Sequence, residues 1–159
     1  MQGTGKNNLV IERENLRLFM SRTFDAPRQV VWDAFKDPEK VAKWWSMSDN
    51  MVVEEMDFQE GGKWRYVETS ADGTKNVFYG VYKIVDEPNT LSYTFEFEPW
   101  AGHVTVDTLT FTEENGKTTI SGVSTFDNVE DLDGLVGSGM EQGAVISWDK
   151  LQKLVEANN

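Results

Sequence analysis

The chain has 159 residues, enough for one domain with a substantial core, and 12% of them are aromatic. Its 27 acidic and 15 basic residues leave a formal charge of -12, which repels phosphate backbones and anionic membrane surfaces, so neither nucleic acid nor membrane insertion is expected. The absence of cysteine excludes disulfides, thiolate metal sites and cysteine nucleophiles, and with His103 as the sole histidine no metal and no cofactor is expected.

Residues 1–12 are polar and aperiodic and predict a flexible tail ahead of a single domain over 13–159. They lack the apolar stretch of a leader, and no run reaches the length of a membrane span, so a soluble, cytoplasmic protein is expected. "LRLFMSRTF" alternates, with Leu16, Leu18, Met20 and Phe24 on one face, and predicts a strand. Behind Pro27, Val30, Val31, Ala34 and Phe35 change to helical spacing. Asp37 and Pro38 form an N-cap and first-turn pair that ends this helix and opens another, carrying Val41, Trp44 and Trp45. Successive residues on a helix point about 100° apart, so the two indoles diverge. Trp44, on the Val41 face, is expected in the core and Trp45 at a rim.

From residue 51 onward, strands alternate with turn chemistry at "EGG", "ADG", "EPN" and "ENG", giving about seven strands with the first. Alternation places Trp64 and Tyr66 inward and Arg65 outward, where a position at a cavity mouth would let it attract a carboxylate. It likewise groups Phe78, Gly80, Tyr82 and Ile84 on one face, and Leu91, Tyr93, Phe95 and Phe97 on another. "HVTVDTLTF" contains a conflict, because Val104 and Val106 oppose Leu109 and Phe111. Either a β-bulge lies near Asp107, or the strand is regular and His103, Thr105 and Asp107 share the inner face. On a straight strand His103 and Asp107 stand about 13 Å apart, too far for a catalytic pair without a bend.

"DNVEDLDGLV" misses the calcium-loop pattern, since counting back from Gly134 puts Val129 at the first ligand position, and it reads as a solvated acidic loop. After it Met140, Ala144, Trp148, Leu151 and Val155 recur at three and four residues and predict a long amphipathic C-terminal helix. "GSGMEQG" is not a dinucleotide fingerprint and "GTGKN" is not a phosphate loop, because the glycine spacing and the flanking elements are wrong.

The order strand, two short helices, strands and long helix resembles the helix-grip architecture of START and pollen-allergen-like proteins. "SRTFDAPRQVVWDAFKDPEKVAKWW", "GGKWRYVETSADGT", "YGVYKIVDEPNTLSYTFEF", "GKTTISGVSTF" and "GMEQGAVISWDKLQKLV" narrow the resemblance to the activator of heat-shock-protein-90 ATPase homologue family, within the SRPBCC superfamily. The resemblance implies an α+β fold in which a curved, seven-stranded antiparallel sheet wraps the C-terminal helix around a mainly apolar cavity. Two positions depart from the family pattern: Ala144 stands where a Trp is common, and Gly122 where a Leu is common. Both remove bulk and predict a larger cavity. Its lining is expected from Trp45, Trp64, Tyr66, Phe78, Tyr82 and Tyr93 on one side. Phe95, Phe97, His103, Asp107 and Leu109 follow along the sheet, then Ile120 and Gly122 on the last strand and Met140, Ala144 and Trp148 on the helix.

A hydrophobic or amphipathic small molecule is the expected partner. A protein-interaction role, as a homodimer or as a co-chaperone-like regulator of a chaperone ATPase, is the alternative, although the co-chaperone activity belongs to relatives with a further domain that this chain is too short to carry. A cavity enzyme of cyclase or hydrolase type stands third, because only His103, Asp107, Glu68 and the tyrosines offer acid–base groups.

Overall fold

A computed structural model of the chain describes residues 8–46, 48 and 50–157, with Met140 described by its backbone alone. The strands are β1 (Asn8–Glu12), β2 (Arg17–Phe24), β3 (Met51–Met56), β4 (Lys63–Thr69), β5 (Lys75–Asp86), β6 (Thr90–Phe97), β7 (Thr105–Glu114) and β8 (Lys117–Thr125). Helices α1 (Arg28–Lys36) and α2 (Pro38–Trp44) follow β2, and α3 (Val129–Gly137) and α4 (Met140–Glu156) close the chain. The strands form one antiparallel sheet in the order β1-β2-β8-β7-β6-β5-β4-β3.

Eight strands replace the seven expected. The extra one is β1, in the stretch read as a tail, where "NLVIE" pairs residue for residue with β2 although Val10 and Ile11 stay exposed. An edge strand held by backbone pairing needs no apolar alternation, so its sequence carries little signal.

Helix α1 buries Val31, Trp32, Ala34 and Phe35, and Trp32 and Phe35 meet Phe111 edge-on at 5.1 and 5.3 Å. The Asp37 side chain accepts from the Glu39 amide at 3.0 Å and starts α2 as predicted. Together α1 and α2 plug one end of the curved sheet.

In β5 a bulge between Tyr82 and Ile84 turns Ile84 outward, and Val85 takes the inner place opposite Leu91. Strand β7 has unbroken register on both sides, so Thr105, Asp107, Leu109 and Phe111 share the concave face. His103 lies before the strand.

The acidic stretch is a helix rather than a loop. Asn128 caps α3 by accepting from the Asp131 amide at 2.8 Å, and Glu130 and Asp131 fall in the first turn, where the helix dipole favours acidic groups. Its Leu132 packs with Leu18 and Phe126 in a small apolar cluster.

Helix α4 is gripped by its second half, where Trp148, Leu151 and Val155 are buried. Arg22, on the Leu18–Met20–Phe24 face of β2 and 1% exposed, donates to Asp149 at 2.9 Å and to Gln152 at 3.1 Å, fixing α4 against β2. The first half of α4 packs less closely: Gly143 and Ala144 are half-buried and Ile146 is exposed. The main core therefore lies under α1, α2 and the end of α4, and the space between it and the α3 cluster is not filled by side chains.

Candidate functional site

Cross-strand register divides the concave face into rows that differ in depth. Phe111 pairs with Ile120 and Ile120 with Arg22, in a row packed under α1. One step outward, Leu91, Leu109, Gly122 and Met20 form the next row. A further step brings Tyr82, Tyr93, Asp107, Ser124 and Leu18 into line. Met20, Leu109 and Gly122 of the second row and Leu18, Tyr93, Asp107 and Ser124 of the third floor a cavity of about 360 Å³ whose roof is Gly143, Ala144, Ser147 and Trp148 of α4 and whose side is closed by Leu135 of α3. A second chamber of about 300 Å³ adjoins it across Phe78, Phe95 and Thr105, and opens toward Phe97, Trp100 and His103.

The paired tryptophans diverge as helical geometry requires. Trp44 is 3% exposed, donates its indole N–H to the Ala34 carbonyl at 2.8 Å and meets Phe35 at 4.7 Å. Trp45 turns to the aromatic wall, with ring centroids 5.0 Å from Tyr66 and Phe78 and 6.3 Å from Phe95. The Ser147 hydroxyl of α4 stands 2.9 Å from the carbonyl oxygens of both tryptophans and shares its one proton between them, tying the roof to this wall.

Polar groups are few and placed at particular points. Asp107 stands in the middle of the floor, and the Ser124 hydroxyl donates to its Oδ1 at 2.5 Å. Burial pushes the Asp107 carboxyl up to about 6, and the Ser124 bond acts in the opposite direction. Burial, and secondarily the charge of Asp107, hold the Tyr93 hydroxyl well above its ordinary value. Glu68 at another edge accepts from the Ser46 hydroxyl, from Asn76 at 3.2 Å and from the Ser48 amide at 3.3 Å. At the outer mouth His103 Nδ1 lies 2.6 Å from Asp131.

Most of the expected lining residues meet here. Trp45, Phe78, Tyr93, Phe95, Asp107, Leu109, Gly122, Ala144 and Trp148 line the larger chamber, and Phe97 and His103 the outer one. Trp64, Tyr66 and Tyr82 border only a void of about 20 Å³, room for roughly one water, and belong to the packed core. Burial there raises the Tyr66 hydroxyl well above its usual value and Tyr82 to about 12. Ile120 is fully buried beside Phe111, one row too deep to reach the cavity. The Met140 side chain lies outside the described residues. Arg65 faces outward and pairs with Glu54 at 2.9 Å and Glu98 at 3.5 Å, so it does not stand at the mouth. Ser124, Leu135 and Ser138 were missed: alternation continued two residues past Gly122 points to Ser124, whereas the other two depend on α3 being a helix.

Chemically, the arrangement suits an apolar body with one polar group near Asp107. Among the described residues no group of three acidic or histidine side chains is arranged to hold a metal ion, and no helix is long and apolar enough to cross a membrane.

Similar structures share this frame. Protein Ms6760 from Mycobacterium smegmatis is 28% identical, with 96% of this chain and 98% of that one covered and a TM-score of 0.86. A protein from Arthrobacter aurescens is 24% identical over 94% and 91% of the two chains, with a TM-score of 0.85, a likeness of fold alone. One from Staphylococcus epidermidis is 25% identical over 94% and 95%, with a TM-score of 0.80. A comparison with curated proteins finds no match. The family described as Activator of Hsp90 ATPase homolog 1-like protein matches residues 25–156, a span holding both short helices, strands β3 to β8 and the whole of the C-terminal helix α4. The chain belongs to that family, and its fold is the α+β helix-grip fold.

Proposed function

We propose that the protein is a non-catalytic module that holds a small hydrophobic or amphipathic molecule in the cavity between the sheet and α4. The observation that carries this reading is the split core: two apolar clusters are separated by about 360 Å³ of space walled largely by aromatic and aliphatic side chains. Protein interiors pack to near-crystalline density, and apolar volume left unfilled costs roughly 24 cal/mol per Å³, a penalty that a bound molecule relieves. Ala144 on the roof helps keep the space open, since a larger side chain there would enter it, whereas on the floor a Cβ at Gly122 would stand 2.9 Å from Leu109 Cδ2.

The test is a titration with a neutral apolar fluorophore, read through the emission of the probe itself. Saturable one-site binding in the natural chain, lost in Ala144→Trp with unchanged circular dichroism, is the expected outcome. Binding that survives Ala144→Trp, or no saturation at all, contradicts the proposal.

A further inference from the structure

The charged groups of the two chambers narrow what they can take. Glu68, Asp107 and Asp131 supply carboxylates, His103 faces Asp131, and among the described residues no lysine or arginine lines either chamber. Glu68 is satisfied by donors from Ser46, Ser48 and Asn76. Asp107 differs. A carboxylate offers about four lone-pair sites, and among the described residues Asp107 accepts a side-chain hydrogen bond from Ser124 at Oδ1. The elements packed around it add no cation: β6 presents Tyr93, β8 presents Ser124, and the roof presents Gly143, Ala144, Ser147 and Trp148.

A carboxylate facing apolar walls without a counter-ion is unfavourable, and a ligand carrying its own carboxylate would worsen the deficit. A ligand carrying an ammonium group would remove it, and the aromatic faces of the same wall attract cations. We propose that the cavity selects a cationic amphiphile, an amine on an apolar chain or ring, whose ammonium group donates to Asp107 while the apolar body lies along Trp45, Phe78 and Phe95. This rests on the reading of the cavity as a small-molecule site and names the class of molecule. A free fatty acid, often the first guess for an apolar cavity, is disfavoured.

Three ligands of equal chain length separate these readings: decylamine, decanol and decanoic acid, each below its micelle-forming concentration in neutral buffer and followed by calorimetry. One charge-assisted hydrogen bond in a partly buried site predicts amine binding about tenfold tighter than the alcohol, with the acid weakest. Asp107→Asn should collapse the amine-to-alcohol ratio to near one. Because the protein carries a formal charge of -12, Ala144→Trp serves as the control for general electrostatic attraction: amine binding there should fall with the cavity. An amine no tighter than the alcohol, a preference that survives Asp107→Asn, or amine binding that survives Ala144→Trp each overturns the inference. Alcohol bound without an amine preference leaves the small-molecule reading standing, whereas no binding by any of the three overturns both.

Discussion

Asp107 reaches its place because β7 alternates without a break, which puts a carboxyl between Thr105 and Leu109 on the concave face. Its folded-state carboxyl is raised from 3.8 to about 6 by burial, so between those values the folded protein holds a proton that the unfolded chain has released. Stability from this group is therefore fully present below about pH 4 and is lost as the pH rises through 6. Tyr93 and Tyr82, its nearest titratable neighbours along the row, are raised further from neutrality and stay protonated throughout this window. Asp107→Asn removes the charge and retains an acceptor for Ser124. It should stabilise the protein by up to about 3 kcal/mol at pH 8 and by much less near pH 4, measured by urea denaturation at both values. An equal effect at the two pH values would show that Asp107 does not bear the cost of burial.

At the scale of elements, the sheet depends on close approaches that only a missing side chain permits. A Cβ at Gly80 of β5 would stand 1.8 Å from the Thr94 carbonyl oxygen and 2.7 Å from the Trp64 indole nitrogen. Gly80→Ala must displace β6 backbone, not merely a flexible tip, and should cost more than about 3 kcal/mol in chemical denaturation. Full stability in that variant would contradict the described packing of β5 on β6. The same elements show what periodicity makes legible. Helices α1 and α2, their junction at Asp37 and Pro38, and the divergence of the Trp44 and Trp45 side chains follow from local spacing, because caps and 100° steps are local properties, whereas that both indoles border the larger chamber does not. The Ile84 reversal is invisible to spacing, since a bulge is set by how β5 and β6 register against each other. Helix α3 was hidden by its acidic residues, which look solvated in sequence although Asn128 caps them into a turn above Leu132. Depth along a strand was also illegible. Ile120, Gly122 and Ser124 share a face, but only the position of α1 over the Phe111 row decides which of them meets the cavity.

The whole molecule is a sheet closed firmly at one end and loosely at the other. Aromatic packing under α1 and α2 and the Arg22–Asp149 pair anchor the second half of α4, while its first half and α3 roof a space that the core does not fill. The formal charge of -12 is consistent with a binder of neutral or cationic molecules. The central claim is that this space holds a ligand, and locating a bound probe tests it most directly. With isotope-labelled protein and a neutral aromatic probe, nuclear Overhauser contacts are predicted between probe protons and the methyl groups of Leu109, Leu135 and Ala144, which line the larger chamber. Contacts confined to exposed methyl groups such as those of Val10, Val52 and Ile84 would place the probe on the surface and contradict the account.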